Sequence, residues 1–360
     1  MTVMQAPDQA ISQFELPALD VRALGRRLAA PVLLACVAVG VVLLGGSHVQ
    51  AFADAMRRGL GVSPSWAVVG VVFECVSIAG YVGLLSLIAG RATARVGARE
   101  SAEITLAGAA ATRLLPTAGA GGIALTLWAL RRAGLGRRTA TRTLLVFLIL
   151  LYSVFVISTV LSGAALALGL VASSGPVEAG AVPAVVGTIA IAICLSLSAG
   201  HGVEPCAGEA GGLEDRERRS RLRTGAALLR GALRDARHVV RSRDPRLAGA
   251  IAYWAFDAGV VWAMLHAFGS PAPLAVVALA YFVGQVANTL PLPGSVSAGI
   301  TGVLIAFGVP VAVALPAVLA YRAIAVWLPS PLAIAAIPAL RATTARWGRE
   351  DARAAASAVI

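Results

Sequence analysis

"RLLPTAGAGGIALTLWALRRAG", residues 113–134, interrupts an apolar run with Pro116, four glycines (Gly119, Gly121, Gly122, Gly134) and the charge of Arg113. In hydrocarbon, a broken helix frees backbone N–H and C=O groups that each cost several kcal/mol. Such a break is tolerated only against protein or a water-filled cavity. The stretch therefore predicts a helix snapped inside a membrane protein, at a buried and polar place.

The composition sets that frame. The chain has 360 residues, 58% hydrophobic and 13% charged, with a mean hydropathy of +0.82. Soluble domains carry about twice that share of charge. Runs near the roughly 20 residues that cross a bilayer core fall at 30–46, 66–90, 143–170, 182–200, 248–268 and 311–337. The fold class is thus an all-α polytopic membrane protein with about six full transmembrane helices.

The net charge is +12, and every basic side chain is an arginine. In a membrane protein such an excess collects in cytoplasmic loops. The arginines flank spans and lack interleaved aromatics, so no nucleic-acid partner is expected. Residues 131–142 hold five arginines, 202–247 hold eleven, and Arg341, Arg346, Arg349 and Arg353 follow Leu340. The loops 171–181 and 269–273 hold none. This bias predicts a multi-pass protein of the bacterial cytoplasmic (inner) membrane with both termini in the cytoplasm. The loop 47–65 falls outside despite Arg57 and Arg58. The first apolar run starts late and exceeds the roughly 7–15 residues of a signal-peptide core, so it reads as a span.

Two apolar segments remain, 102–133 and 274–308, each broken in the middle. As single spans they would put the arginine-rich loops on opposite sides. As re-entrant hairpins they leave the sidedness consistent, the first entering from the cytoplasm and the second from outside. The second break lies in "NTLPLPGSVSAGITGVLIAFGVP", residues 288–310. Leu115-Pro116-Thr117-Ala118-Gly119 pairs with Leu290-Pro291-Leu292-Pro293-Gly294, Gly134 with Gly308, and Phe73-Glu74 with Phe256-Asp257. An odd number of crossings separates the halves, so the repeat is inverted. Matched, interrupted helices in inverted halves are the sequence pointer to a transporter site.

Half-helices starting near Gly119 and Gly294 would aim free N–H groups and a positive dipole end at one midplane point, a cradle for an anion. Gly121 and Gly122 permit close backbone approach, and Ser295 and Ser297 add hydroxyls. Arg113 lies roughly 15 Å deep at 1.5 Å per residue, and Arg322, Glu74 and Asp257 are similarly placed. Ionisable residues at that depth mark a substrate or proton path. Arg113 and Arg322 are candidates for an anionic headgroup, and Glu74 and Asp257 for proton coupling. The competing reading pairs Glu74 with Arg113 and Asp257 with Arg322 as structural bridges. Asn288 and Gln285 either touch the ligand or join helices.

These residues resemble the flippase-like family, also known as the lysylphosphatidylglycerol synthase transmembrane region. Its first half carries a Pro–Gly-Gly–Leu–Arg–Gly pattern, similar to Pro116, Gly121-Gly122, Leu130, Arg131 and Gly134. Its second half, N-x-x-P-x-P-G-G-x-G-x-x-E followed by Y-R and W-L-P, resembles Asn288, Pro291, Pro293-Gly294, Tyr321-Arg322 and Trp327-Leu328-Pro329. The likeness covers roughly residues 30–340. Ser295, Ser297 and Ile300 stand where the family has two glycines and a glutamate, so no carboxylate carries over to position 300. The resemblance implies movement of lipids between leaflets, often aminoacylated phosphatidylglycerol or lipid-linked carbohydrate precursors. With 20 residues after Leu340, translocation without synthesis is the expectation.

The expected organisation is a cytoplasmic tail 1–29, a first repeat 30–200 with hairpin 102–133, an arginine-rich loop 201–247, a second repeat 248–340 with hairpin 274–308, and a cytoplasmic tail 341–360. Leu222, Ala226, Leu229, Leu233, Ala236 and Val240 recur at helical spacing among the arginines of 214–246. That segment reads either as an amphipathic helix on anionic inner-leaflet lipid or as a solvated linker that fixes topology. His201, Glu204 and Cys206 lack the second cysteine of a zinc site, and no nucleotide-binding or nucleophile motif occurs. No metal, cofactor or catalytic residue is expected, and a homo-oligomer is compatible with the sequence. The leading function is transport of an anionic lipid. The alternatives are an enzyme acting on a lipid phosphate, with Glu74, Asp257 or His266 as base, and a non-catalytic membrane scaffold.

Overall fold

The computed structural model describes residues 64–114, 120–199, 213–289 and 294–357, and every regular element among them is helical. The elements are α1 (Pro64–Ala92), α2 (Ala98–Leu114), α3 (Ala120–Arg132), α4 (Arg137–Ala167), α5 (Val177–Ala199), α6 (Leu213–Arg241), α7 (Ala248–Ala267), α8 (Leu274–Val286), α9 (Ser295–Ala306), α10 (Val311–Arg322) and α11 (Ser330–Ser357). Five stretches are long and apolar enough to cross a membrane: Pro64–Ala92, Arg137–Ala167, Val177–Ser196, Pro245–Ala267 and Val311–Ser357. They match five of the spans expected from sequence. The sixth, 30–46, lies outside the described residues.

The centre is the antiparallel crossing of α1 and α7. Phe73 meets Phe256 with ring centroids 5.2 Å apart, and near the other end Trp66 stacks on Trp262 and His266. The backbones come closest at Gly80 and Gly249. A methyl group on Gly80 would stand 2.7 Å from the Gly249 carbonyl oxygen, so only glycine lets the helices cross there. Trp254 ties this pair to α4, its indole N–H donating to the Leu151 carbonyl at 2.8 Å while Phe155, Tyr281 and Phe282 close around the ring. α5 packs on α4 and turns Val182, Val186, Ile189 and Ile193 outward. An apolar outer face of this kind fits hydrocarbon and not water.

Both broken segments fold back on themselves as helical hairpins. In the first, Gly122 of α3 lies against Gly108 and Thr112 of α2. In the second, Gly284 of α8 lies against Gly299 and Ile300 of α9. α3, α8 and α9 have 13, 13 and 12 residues, about 20 Å at 1.5 Å per residue. That is short of the roughly 30 Å hydrocarbon layer. Gly134 and Gly308, paired from sequence, both have positive φ and end their helices with the same two bonds. Gly134 donates to Arg131 O and Leu135 to Leu130 O, while Gly308 donates to Ile305 O and Val309 to Leu304 O. Gly169 and Gly269 stop α4 and α7 in this way too, so the match reflects a common terminator more than a repeat.

Two segments carry more structure than the sequence showed. The segment after Leu340, expected as a tail, continues α11 to Ser357 and packs on α2. Leu340, Thr343 and Trp347 recur on one face and are buried, and the Thr343 hydroxyl donates to Glu103 Oε2 at 2.7 Å. Arg95–Asp351 and Arg346–Glu100 close the same seam. Along 213–241 the helix is present, but it docks on α4 through Ala232, Ala236 and Val239 while Val240 is 54% exposed. The packing face is therefore rotated from the expected stripe. The Arg142–Asp235 ion pair at 2.5 Å and the seat of Gly231 beside Arg142 fix that rotation.

Candidate functional site

Polar groups meet inside the membrane helices where α1, α7, α8 and α10 come together. Tyr281 of α8 donates its hydroxyl to Asp257 Oδ2 of α7 at 2.5 Å. Gln285, one turn further along α8, donates its amide N–H to the Tyr321 hydroxyl of α10 at 3.3 Å. The rings of Tyr281 and Tyr321 stand edge-on, 6.3 Å apart, and both are fully buried. On α1, Ser77 donates to the Tyr253 carbonyl at 2.9 Å, and Glu74 is buried one turn before it. Asp257 lies in the interior of α7, and Arg322 ends α10 directly after Tyr321.

Arg322 occupies a special point of its helix. α10 ends at this residue, and Ala323–Trp327 forms a π-helical turn in which Leu328 N donates to Ala323 O at 3.3 Å. Pro329, which has no N–H to give, follows at once. Single π turns of this kind recur at functional sites because they swing side chains off the regular helical positions.

The remaining expected residues are spread around the hairpins. Arg113 lies in the last turn of α2, with its side chain outside the described residues. Pro116, Gly119, Pro291 and Pro293 also lie outside them. Gly121 and Gly122 sit in the first turn of α3. The Gly122 amide is not open to a ligand, since it donates to Thr112 Oγ1 at 3.0 Å, and a methyl group there would stand 2.6 Å from that oxygen. Gly122 therefore closes the hairpin. Asn288 is exposed in the turn Ala287–Thr289. Gly294 has φ 82°, a backbone conformation glycine favours, and leads into Ser295, where α9 starts without a side-chain cap. Uncapped amides at such a start accept an anion.

Among the described residues the two hairpins share no extended packing. α2 and α3 rest on α1, α4 and α11, whereas α8 and α9 rest on α4, α7 and α10. A meeting of the two tips would rest on 115–119 and 290–293. Sequence reasoning missed Tyr281, Tyr253, Ser77 and Thr112 as site or hairpin groups. The available signal was the place of the tyrosines, which lie well inside apolar runs and not at the membrane interface where this residue collects.

An all-helical, multi-pass membrane protein with a buried carboxylate–tyrosine cluster beside two folded-back hairpins is the class this architecture defines. The chain belongs to the lysylphosphatidylglycerol synthase TM region family, which it matches over residues 19–333. Comparison with curated proteins gives no match.

Proposed function

We propose that the protein is a lipid transporter that moves an anionic phospholipid, or a lipid-linked precursor, between the leaflets of a bacterial inner membrane. The observation that carries this reading is the Asp257–Tyr281 hydrogen bond beside Tyr321 and Gln285, packed among helices long and apolar enough to cross a membrane. Ionisable groups are expensive in that position, and function is the usual reason to keep them there. Arg322, together with the uncapped start of α9 at Ser295, supplies positive character for a phosphate. Asp257, held by Tyr281, supplies a group that can take and release a proton as the headgroup passes.

The paired hairpins support the same reading. Each has limbs crossing at small residues, Gly108 against Gly122 and Gly284 against Gly299, and each carries a Leu-Pro element in the sequence between its limbs. We read them as re-entrant and related by inversion, with alternating access around them. Arginine sidedness puts both chain termini in the cytoplasm on this reading.

The test is leaflet exchange of a fluorescent anionic lipid in proteoliposomes of the full chain. Arg322→Gln and Asp257→Asn are expected to slow exchange while the protein stays folded. Unchanged rates in both variants would reject the site. Conversion of a lipid phosphate by the protein in detergent, where no leaflets exist, would reject transport in favour of chemistry.

A further inference from the structure

A second polar place lies at the opposite, arginine-rich ends of the helices. Where α1 finishes and α4 begins, α6 packs on α4, and the three helices line an open cavity of about 670 Å³. That is the size of a small-ligand site. Arg91 comes from the last turn of α1, Arg138 and Arg142 from the first turns of α4, and Asp235 and His238 from α6. Three guanidinium groups against one carboxylate leave two net positive charges with the histidine neutral. Asp235 is already engaged, bound by both Nη2 (2.6 Å) and Nε (2.5 Å) of Arg142. Arg91 donates to the Ser242 hydroxyl at 2.7 Å, which holds its side chain across the gap between α1 and the end of α6.

Two features say what would fill the cavity. α4 starts at Arg137 after Gly136, with no side-chain cap and no acidic residue in its first turn, so its dipole end and first amides add to the positive field. The rest of the lining includes apolar Ile88, Val146, Leu228 and Val239. The site sits where two membrane-crossing helices leave the apolar layer. Basic pockets between helices at that level take lipid headgroups.

We propose that this cavity binds the phosphate of an anionic glycerophospholipid at the membrane surface, apart from the Tyr281–Asp257 cluster. The phosphate docks between Arg91, Arg138 and the start of α4, and the first acyl carbons lie on Ile88 and Leu228. Asp235 competes with the lipid for Arg142. This site does not depend on transport, so each proposal can fail alone.

The experiment uses the full chain in nanodiscs of phosphatidylcholine with or without phosphatidylglycerol, followed by native mass spectrometry of retained lipid. Phosphatidylglycerol is expected to be retained over phosphatidylcholine. Arg91→Gln and Arg138→Gln are each expected to lower that retention roughly fivefold, the worth of one arginine at an anionic surface. Arg234→Gln, on an exposed position of α6, is expected to leave it unchanged. Asp235→Asn is expected to raise it, an outcome that simple loosening of α6 would not give. Equal retention in the Arg91→Gln/Arg138→Gln double variant would overturn the proposal. So would reduced retention in Asp235→Asn, or stabilisation of the detergent-solubilised protein by inorganic phosphate as strong as that by phosphatidylglycerol.

Discussion

Tyr281 donates its phenolic O–H to Asp257 Oδ2 across the α7–α8 contact at 2.5 Å. Removing the donor leaves a buried acceptor behind, at a cost of about 1–3 kcal/mol. Tyr281→Phe should therefore lower stability in detergent by that amount and also slow leaflet exchange. Asp257→Asn keeps an acceptor for the phenol and should cost less stability while slowing exchange as much. Equal stability of Tyr281→Phe and the parent, read from denaturant unfolding, would show that this bond contributes nothing.

Ile300 is fully buried where α9 crosses α8 at Gly284, and the Ile300 amide nitrogen would stand 2.8 Å from a methyl group on that glycine. Ile300→Ala opens a cavity in the hairpin and should cost about 2–5 kcal/mol. Gly284→Leu forces the limbs apart and should cost about 1–3 kcal/mol or more. Thermal unfolding of both variants checks the pair. A Gly284→Leu protein as stable as the parent would mean that the limbs do not pack closely.

Trp347 is buried against the first hairpin region from the far end of α11. Trp347→Ala should cost about 3–5 kcal/mol. Glu103→Ala should loosen the same seam by leaving the Thr343 hydroxyl without its acceptor. Limited proteolysis is the readout, with cleavage in the turn 93–97 ahead of α2 expected to speed up in both variants. Unchanged cleavage would mean that the C-terminal helix does not support the hairpin.

Asp244 caps the turn Pro245–Leu247 that leads into α7, and its carboxyl is held down to about 2 from an ordinary 3.8. The cause is first the Arg246 guanidinium, then the Arg246 backbone N–H, both donating to it. Its folded value lies below its unfolded one, so its contribution is fully present above the ordinary range and is lost as pH falls through about 2. Protection of the amides at the start of α7, corrected for the intrinsic exchange rate, should fall between about pH 4 and 2, the interval separating the two values. Asp244→Asn should remove that dependence.

Length and hydropathy made the spans legible, because a bilayer asks for about 20 apolar residues in a row. Pro and Gly made the two breaks legible, because they leave backbone groups unpaired. Gly108, Gly284 and Gly299 were not, since a helix crossing depends on which faces meet, and glycines on apolar helices look alike until the partner is known. The helix after Leu340 was hidden by its charge. Arg346 and Asp351 read as a solvated end, yet they pair with Glu100 and Arg95 beneath. Glu74 and Asp257 stood out as charges in apolar runs, whereas Tyr281 became visible only once α8 was laid against α7.

The two folded-back elements, so alike in sequence, are unequal in stiffness. α2 and the turn before it are riveted to α11 by Glu103–Thr343, Arg346–Glu100 and Arg95–Asp351. α9 is held by apolar contact with α8 and α10 and by the Ser174 hydroxyl on the Phe307 carbonyl at 3.2 Å. Tilting α2 means breaking polar bonds, one of them buried, while tilting α9 mostly slides greasy surfaces past each other. On the transport reading proposed above, rocking would turn on the first hairpin as its fixed post and swing the second as its gate.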